Sequence, residues 1–357
     1  MTTQKPVSIG IVGAGRVAES HAGAARDVDG VQLRAIAEVD GARRAEFAAK
    51  YAGPSGPLQG YARDVDLYER DDIDLVIVAL PHWLHGDAAV RALNAGKHVL
   101  VEKPMAITLD ECDRMIETAR THNRVLAIGQ THHFNALAST AKELLDGGRF
   151  GRIAWGTETS YAARRYGSQP PWMFDREKGG GQLWANGVHY VDRLCWTIGS
   201  TGGSAKSDLP AAPDRARPVA VKALTGTFFN DYPASHPADD GAVLLIEFDT
   251  GQVATVHLTG HFAGARTSEA EYICTKGMVK YGSGLFATDP ENPDDATYHE
   301  LPYARERGFN AQLANVAAAV RGERPPAVPG EWGRLVISIL LAAEESSRTR
   351  REVRLDS

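Results

Sequence analysis

Three shortages narrow what this chain of 357 residues can be. It has 3 cysteines, and Cys112, Cys195 and Cys274 lie far apart without a CxxC pair, which argues against a disulfide framework and a zinc site. No stretch reaches about 18 consecutive apolar residues, and the short polar start lacks the apolar core of a signal peptide. We therefore expect a cytoplasmic protein with reduced, mostly buried thiols and no membrane segment.

The chain also has fewer basic than acidic residues. The 39 Lys and Arg residues are outnumbered by 45 Asp and Glu residues, which gives a formal net charge of −6. A nucleic-acid-binding surface needs a basic excess, and no local basic patch is found, so no nucleic-acid partner is expected. Neither a GxSxG nor an HExxH motif occurs, which argues against a serine hydrolase and a zinc peptidase. No metal site is expected.

Residues 1–129 alternate between strand and helix patterns. The chain is 43% hydrophobic and 24% charged, the composition of a soluble globular protein, and its length suggests two domains. The patterns predict strands over 7–12, 32–37, 75–80, 97–101 and 125–129, and helices over 16–29, 40–51, 86–95 and 108–123. This alternation predicts an α/β domain with a doubly wound parallel sheet.

The pattern changes after residue 130. A predicted helix over 135–147 precedes strand segments at 151–162, 219–230, 241–250, 251–262 and 270–281, and two helices follow over 309–321 and 331–348. Several of these strands are joined by short turns, which favours antiparallel pairing. We therefore predict a second domain of α+β type over residues 130–357, with a mostly antiparallel sheet.

A glycine motif follows the first predicted strand. In Gly13-x-Gly15-x-x-Ala18, the first glycine permits a sharp turn, the second lets a pyrophosphate approach, and the alanine lets the next helix pack closely. Glu38 ends the second strand, where a carboxylate holds the ribose hydroxyls and repels a 2′-phosphate, so NAD is favoured over NADP. Glycine-rich turns also occur without a cofactor. The predicted cofactor-binding residues of this region are Gly13, Gly15, Arg16, Val17, Ala18 and Glu38.

Four motifs occur in the order and at the spacings of one known family. They are Gly13-x-Gly15-x-x-Ala18, Ala79-Leu-Pro81-x-x-x-His85, the run Ala95 to Pro104 with Glu102-Lys103-Pro104, and Gly179-Gly-Gly181-x-Leu183 followed by His189-x-x-Asp192. The chain thereby resembles the glucose-fructose oxidoreductase/inositol dehydrogenase/MocA family over nearly its whole length. The resemblance implies a Rossmann domain, a following domain with an open-faced sheet, NAD(P)-dependent oxidation of sugars, cyclitols or polyols, and dimers or tetramers that pair through that sheet.

Lys103 is the first catalytic candidate. The resemblance places it beside the nicotinamide and the reacting hydroxyl, where an ammonium stabilises developing alkoxide charge and is able to pass a proton. Pro104 is expected to form a tight turn that directs Lys103 into the cleft. Pro81, His85 and Glu102 are expected at the cofactor, with His85 fixing the loop. Without the resemblance, the sequence pattern favours an exposed charged pair, Glu102 and Lys103, at the end of a strand.

His189 is the second catalytic candidate. In the family the matching histidine faces the substrate hydroxyl and is commonly oriented by an aspartate four residues earlier. This chain has Ala185 there, which puts the proton-relay role of His189 in doubt, and Asn186 is a partial substitute. Asp192 has a structural role in the family. The alternative is that His189 is an ordinary hydrogen-bonded helix residue.

Candidate substrate-binding residues surround these two. His132 and His133 stand where relatives often carry an Arg-Phe-x-Pro-like segment, and they are either substrate contacts or plain helix-start residues. Arginines near the mouth favour a substrate with a carboxylate or many hydroxyls, although a solvated charged loop explains them equally well. The further candidates are Tyr161, Arg164, Arg165, Trp172 and Asn186.

Together these features predict an NAD-dependent dehydrogenase. Its expected reaction is hydride transfer from a secondary alcohol of a sugar, cyclitol or related cyclic polyol to the nicotinamide, with Lys103 and His189 acting at the oxygen. One alternative retains NAD and uses transient oxidation for elimination or isomerisation. Another is a non-catalytic NAD-binding sensor. The expected assembly is a homodimer or homotetramer.

Overall fold

The computed structural model describes residues 5–53, 58–162, 169–199, 216–229, 238–260, 266–292, 294–303 and 308–355. These residues form two compact units. The first contains the described residues up to 131 together with 308–334. The second contains the described residues between 132 and 303 and those from 335 onward.

The first unit is built on a parallel sheet. Its strands, within the described residues, are β1 (Val7–Val12), β2 (Val31–Ala37), β3 (Gln59–Tyr61), β4 (Leu75–Val78), β5 (His98–Glu102) and β6 (Leu126–Gly129). They lie in the order β3-β2-β1-β4-β5-β6, and every adjacent pair is parallel. This is the doubly wound order, in which ligands bind where the chain reverses direction between β1 and β4. The predicted fold class is confirmed.

Helices follow most strands of this unit and recur in the second. They are α1 (Arg16–Asp27), α2 (Gly41–Lys50), α3 (Asp64–Tyr68), α4 (His85–Asn94), α5 (Leu109–Thr121), α6 (Ala136–Asp146), α7 (Val188–Ile198), α8 (Gly308–Val320) and α9 (Gly330–Thr349). Thr108 caps the start of α5, and its hydroxyl accepts from the backbone N–H of Glu111 at 3.2 Å. Such a cap satisfies an N–H that the first helical turn leaves without a partner.

α1 owes its position to a stripe of small residues. Ala18, His21, Ala22 and Ala25 recur at helical spacing and are all buried, so the helix lies close to the sheet. α8 packs against α1, and the Phe309 ring meets the His21 ring edge-on at 5.0 Å. Residues near the end of the chain therefore complete the core of the first unit.

The second unit is built on a mixed sheet. Its strands, within the described residues, are β7 (Ile153–Ala162), β8 (Pro218–Gly226), β9 (Gly241–Phe248), β10 (Val253–Gly260), β11 (Thr267–Cys274), β12 (Gly277–Tyr281), β13 (Leu285–Ala287), β14 (His299–Leu301) and β15 (Val353–Arg354). Their order is β14-β13-β12-β11-β7-β10-β9-β8-β15. β7 and β10 are parallel and the other pairs are antiparallel, as a mostly antiparallel sheet requires.

The single strand predicted over 270–281 is wrong. Residues 270–274 belong to β11 and residues 277–281 to β12, and the two strands pair with each other. The chain turns at Thr275 and Lys276, where the backbone N–H groups donate to Arg152 and Phe150. Apolar alternation continues on both sides of this short turn, which is why the sequence pattern did not reveal it.

The two faces of β7 have different surroundings. Gly156, Glu158 and Ser160 are buried, whereas Trp155 and Tyr161 are exposed. Glu158 pairs with Arg193 of α7 through hydrogen bonds from the guanidinium, in which Nε donates to Oε1 at 2.9 Å and Nη2 donates to Oε2. Burial raises the pKa of Glu158, and Arg193 opposes that rise. The buried pair fixes α7 on one face of the sheet and leaves the other face open.

The three cysteines are buried and form no disulfide. Burial raises the pKa of the Cys112 thiol to about 12, so it stays protonated and unreactive near neutral pH. Within the described part of the chain, no helix is both long and apolar enough to cross a bilayer.

Candidate active site

Gly13 forms the sharp turn after β1. Its φ is +96°, and its N–H donates to the carbonyl of Ala37 at 2.8 Å. A Cβ at this position would lie 2.4 Å from the carbonyl oxygen of Ala79, just beyond β4. Both the backbone angle and the lack of space therefore require glycine at the point where β1 and β4 diverge.

Gly15 caps the start of α1 and faces open space. Its φ is −80°, which any residue adopts, yet a Cβ here would meet nothing within 4 Å. The first turn of a helix presents N–H groups without intrahelical acceptors and a positive dipole end. Open space beside such a turn fits a dinucleotide diphosphate. Arg16 is exposed, Val17 is half-buried and Ala18 is fully buried against the sheet.

Glu38 connects the glycine turn to the end of β2. One carboxylate oxygen accepts from the N–H of Ala14 at 2.9 Å, and the other accepts from the N–H of Asp40 at 3.0 Å. Arg43 pairs with the same carboxylate at 3.2 Å. Each carboxylate oxygen has two acceptor positions. Asp40 and Arg43 use both positions of Oε1, and Ala14 uses one of Oε2, so Glu38 retains one position for a ribose hydroxyl.

The sequence interpretation missed Val39. This apolar side chain is 82% exposed immediately after Glu38. An apolar side chain with that much exposed surface, at the carboxyl end of a Rossmann strand, is available for contact with an apolar part of a ligand. Its signal in the sequence was its position beside the predicted ribose-binding carboxylate.

Lys103 lies in a short turn after β5. Its side chain is half-buried, and the peptide bond that joins it to Pro104 is cis. Its backbone N–H donates to the Glu102 carboxylate at 3.2 Å. The Glu102 side chain is buried and bonds to protein groups on both oxygens. The turn is thus fixed at the carboxyl end of β5, the edge at which open α/β sheets bind ligands.

His85 holds this turn against β4. Its Nδ1 lies 2.8 Å from the carbonyl oxygen of Pro104, and its Nε2 lies 2.7 Å from that of Leu80. Burial lowers the pKa of His85, and the two carbonyls oppose that shift. Both ring nitrogens face backbone carbonyls, and the neutral ring donates its single N–H to one of them, so His85 is a supporting residue. Pro81 precedes the short 3₁₀ turn His82–Leu84 that leads into α4.

In the second unit, a π-helical turn over Leu183–Gly187 leads into α7, which carries His189. The His189 ring stacks on the His132 ring, with centroids 4.3 Å apart and planes 16° apart. His132 also meets Tyr190 edge-on at 5.9 Å. An aromatic face therefore restrains His189 in a chain that has Ala185 in place of an orienting carboxylate.

His133 faces the interior of the second unit. Its Nε2 lies 3.0 Å from a carboxylate oxygen of Asp192, and both side chains are buried. The ring also stacks on Trp196 at 4.2 Å. This geometry is that of a residue that supports α7, and direct contact of His133 with a substrate stays a prediction.

The remaining candidate residues are scattered. The Asn186 amide donates to Gln182 at 2.9 Å, Trp172 is half-buried in the 3₁₀ turn Pro171–Phe174, and Tyr161 lies on the open face of the sheet. Arg164 and Arg165 lie outside the described residues. Among the residues that are described, no three His, Cys, Asp or Glu side chains form a group that could hold a metal ion.

Two family models match the chain in succession. Residues 7–130 match the oxidoreductase family with the NAD-binding Rossmann fold, and residues 138–280 match the GFO/IDH/MocA C-terminal domain. The chain belongs to the Gfo/Idh/MocA oxidoreductase family. The predicted resemblance and the NAD cofactor are confirmed, and the protein is an oxidoreductase.

Two named relatives of this Gfo/Idh/MocA protein are dehydrogenases. It is 30% identical over 315 residues to the 1-carboxy-3-chloro-3,4-dihydroxycyclohexa-1,5-diene dehydrogenase of Comamonas testosteroni, covering 86% of this chain and 71% of the relative. It is 25% identical over 354 residues to the myo-inositol 2-dehydrogenase of Thermotoga maritima, covering 98% of each. The WlbA dehydrogenase of Bordetella pertussis, solved with NADH and UDP-GlcNAcA, matches 99% of both chains with a TM-score of 0.80 at 23% identity, which establishes likeness of fold.

Proposed function

We propose that this oxidoreductase removes a hydride from a secondary alcohol of a cyclic polyol or sugar. The observation that carries the proposal is the Lys103 turn, which His85 and Glu102 anchor at the ligand-binding edge of the Rossmann sheet. The two relatives described above act on a dihydroxylated ring and on an inositol, which supports a ring substrate. A panel of sugars, inositols and dihydrodiols, screened for formation of NADH, tests the proposal.

Lys103 is the proposed catalytic residue. Bound NAD supplies the hydride acceptor at C4 of its nicotinamide. As the alcohol carbon loses hydride, the neutral Lys103 amine takes the hydroxyl proton, and the ammonium that results stabilises the negative charge developing on the oxygen. The ammonium then releases this proton to the solvent. The products are a ketone, NADH and a proton. The cofactor contacts proposed for Gly13, Gly15, Arg16, Val17, Ala18, Glu38, Pro81 and His85 position the dinucleotide for this step.

His189 is proposed to orient the substrate hydroxyl, with Lys103 carrying the proton. A histidine that relays protons is usually held in one tautomer by an anion. The His189 ring stacks on the face of His132, which restrains its plane. Position 185, where the family commonly has the orienting aspartate, holds an alanine. His132, His133, Tyr161, Arg164, Arg165, Trp172 and Asn186 remain proposed substrate-binding residues.

A carboxylate introduced at position 185 tests whether Lys103 or His189 carries the proton. Ala185 is buried four residues before His189, so an aspartate there is placed to approach the ring. We expect the pH dependence of kcat to be the same in Ala185→Asp as in the control Ala185→Asn, which has the same size without the charge. A pKa in the pH–rate profile that rises in the aspartate variant alone would assign the proton transfer to His189.

Glu38 should make the protein prefer NAD over NADP. Unit charges about 4 Å apart repel by roughly 1 kcal/mol in water and about 4 kcal/mol near a protein surface, which corresponds to between fivefold and a thousandfold in affinity. Dissociation constants for both cofactors measure the preference. We expect Glu38→Gln, which keeps an acceptor for Ala14, to reduce it.

The matched control for Glu38 is Asp27→Asn. It removes the same charge at the far end of α1, roughly 18 Å from the glycine turn, and should leave the preference unchanged. Equal affinities of the unmodified protein for NAD and NADP would remove Glu38 from this role.

We also propose a homodimer or homotetramer that assembles through the open face of the second unit. This face carries exposed apolar side chains on adjacent strands: Trp155, Leu224, Val243 and Ile273. Apolar side chains clustered on one sheet face favour association. Light scattering of the purified protein tests the proposal, and a monomer at all concentrations would contradict it. Cofactor binding by residues 1–129, substrate binding by residues 130–357 and a cytoplasmic location are likewise proposals.

A further inference from the structure

A buried histidine of α1 is bonded to the glutamate that precedes Lys103. The His21 side chain has no exposed surface, and its Nε2 lies 2.7 Å from Oε1 of Glu102. Glu102 is itself only 5% exposed. The two residues are 81 positions apart in the sequence, and their contact connects the helix that begins at the glycine turn to the end of β5.

The surroundings of the His21 ring indicate which ring nitrogen carries the hydrogen. Its Nδ1 is buried and, among the described residues, has no hydrogen-bond partner, while the ring stands edge-on to Phe309. A protonated ring would bury the Nδ1–H without an acceptor, which is unfavourable. The neutral ring with its hydrogen on Nε2 avoids this problem. In that form His21 donates to Glu102 and leaves only a lone pair at Nδ1.

The second oxygen of Glu102 completes the connection. It accepts from the backbone N–H of Lys103 at 3.2 Å, so one carboxylate accepts from His21 and Lys103 together. Gly129 of the adjacent strand β6 leaves the space for this side chain, because a Cβ there would lie 2.9 Å from the carboxylate carbon. Three residues from separate elements therefore confine Glu102 to one position.

We propose that His21 is a positioning residue for Lys103. The Nε2–H of His21 holds the Glu102 carboxylate, and the carboxylate fixes the backbone from which the Lys103 side chain extends. Glu102 is thereby a positioning residue as well, directed at protein groups and not at the cofactor. The catalytic consequence of this arrangement rests on the proposed function, whereas the hydrogen-bond chain itself does not.

Hydrogen exchange at the Lys103 amide tests the chain of hydrogen bonds directly. In His21→Leu, which fills similar space but has no donor, we expect this amide to exchange about tenfold faster, the factor that a lost charge-assisted hydrogen bond readily supplies. His21→Gln places an N–H donor where Nε2 was and should stay within about twofold of the unmodified protein. Amides of Ala22 and Ile77 serve as references, because a general loss of packing would accelerate them too.

Glu102→Gln provides a second variant with unchanged shape. Its amide group has one acceptor oxygen in place of two, so it cannot accept from both His21 and Lys103, and the Lys103 amide should again exchange faster. Unchanged exchange at Lys103 in His21→Leu and Glu102→Gln would overturn the proposal. The proposal would also be overturned if the Lys103 amide exchanged as fast in His21→Gln as in His21→Leu.

Kinetics with a substrate identified from the panel measure the catalytic consequence. We expect His21→Leu to lower kcat about tenfold while KM and the NAD dissociation constant change less than about threefold, because the glycine turn and the substrate-binding residues are untouched. His21→Gln should restore most of kcat. An unmodified protein that oxidises no member of the panel would count against the proposed function, while normal kcat in His21→Leu would count against the positioning role.

Discussion

Replacing Lys103 with methionine is expected to lower kcat about a hundredfold while NAD affinity stays within a few fold. In the proposed mechanism the ammonium acts on the oxygen that becomes charged in the transition state, and losing such a group costs about 3 kcal/mol or more of stabilisation. The dinucleotide contacts at Gly13 and Gly15 are on other elements. Steady-state kinetics and an NAD titration of the same variant separate the two effects.

Two controls make the Lys103 result specific. Lys276→Met removes an ammonium from the exposed turn between β11 and β12, and it should leave kcat unchanged. Lys103→Arg retains the charge on a side chain of different shape and should be intermediate. Near-normal turnover of Lys103→Met would remove Lys103 from the catalytic role.

Alanine at Gly13 and alanine at Gly15 are expected to fail in different ways. Gly13→Ala would place a Cβ 2.4 Å from a backbone oxygen in a residue whose φ is +96°. A non-glycine residue in such a conformation costs roughly 1–3 kcal/mol before the steric contact is counted, so both Tm and NAD binding should fall. Gly15→Ala meets no protein atom within 4 Å, so its Tm should stay unchanged.

The Gly15 variant isolates the phosphate site. Its new methyl group would occupy the space where the diphosphate approaches the start of α1, and NAD affinity should fall at least tenfold, or about 1.4 kcal/mol. Thermal unfolding and NAD titration of both variants provide the comparison. An unaltered NAD affinity in Gly15→Ala would show that the diphosphate binds elsewhere.

The Rossmann sheet was predictable because its signals are local. Val7–Val12 is a mostly apolar run that is buried at every position, and the glycines follow it directly. Parallel strands buried on both faces require such runs, and helices between them require the intervening spacing. Lys103 could also be predicted from the sequence, because its motif follows a predicted strand.

Contacts between distant parts of the chain were not predictable in the same way. His21 lies in the buried alanine stripe of α1, and a polar residue at such a position indicates that it has a polar partner. The sequence does not identify that partner, because Glu102 is 81 positions away. Residues 308–334 complete the first unit, although nothing in their helical pattern identifies the sheet that they join. The stacking of His132 on His189 depends in the same way on tertiary structure. The two histidines are 57 positions apart, and no periodic pattern in the sequence connects them.

The most direct test of the account follows ketone and NADH together in one reaction, with the purified protein, NAD and the substrate from the panel. We predict one NADH for each ketone formed, and the loss of both signals in Lys103→Met. A product that accumulates without NADH would indicate elimination or isomerisation by retained NAD. NAD that binds but is reduced by no cyclic polyol or sugar would contradict the proposed dehydrogenase activity.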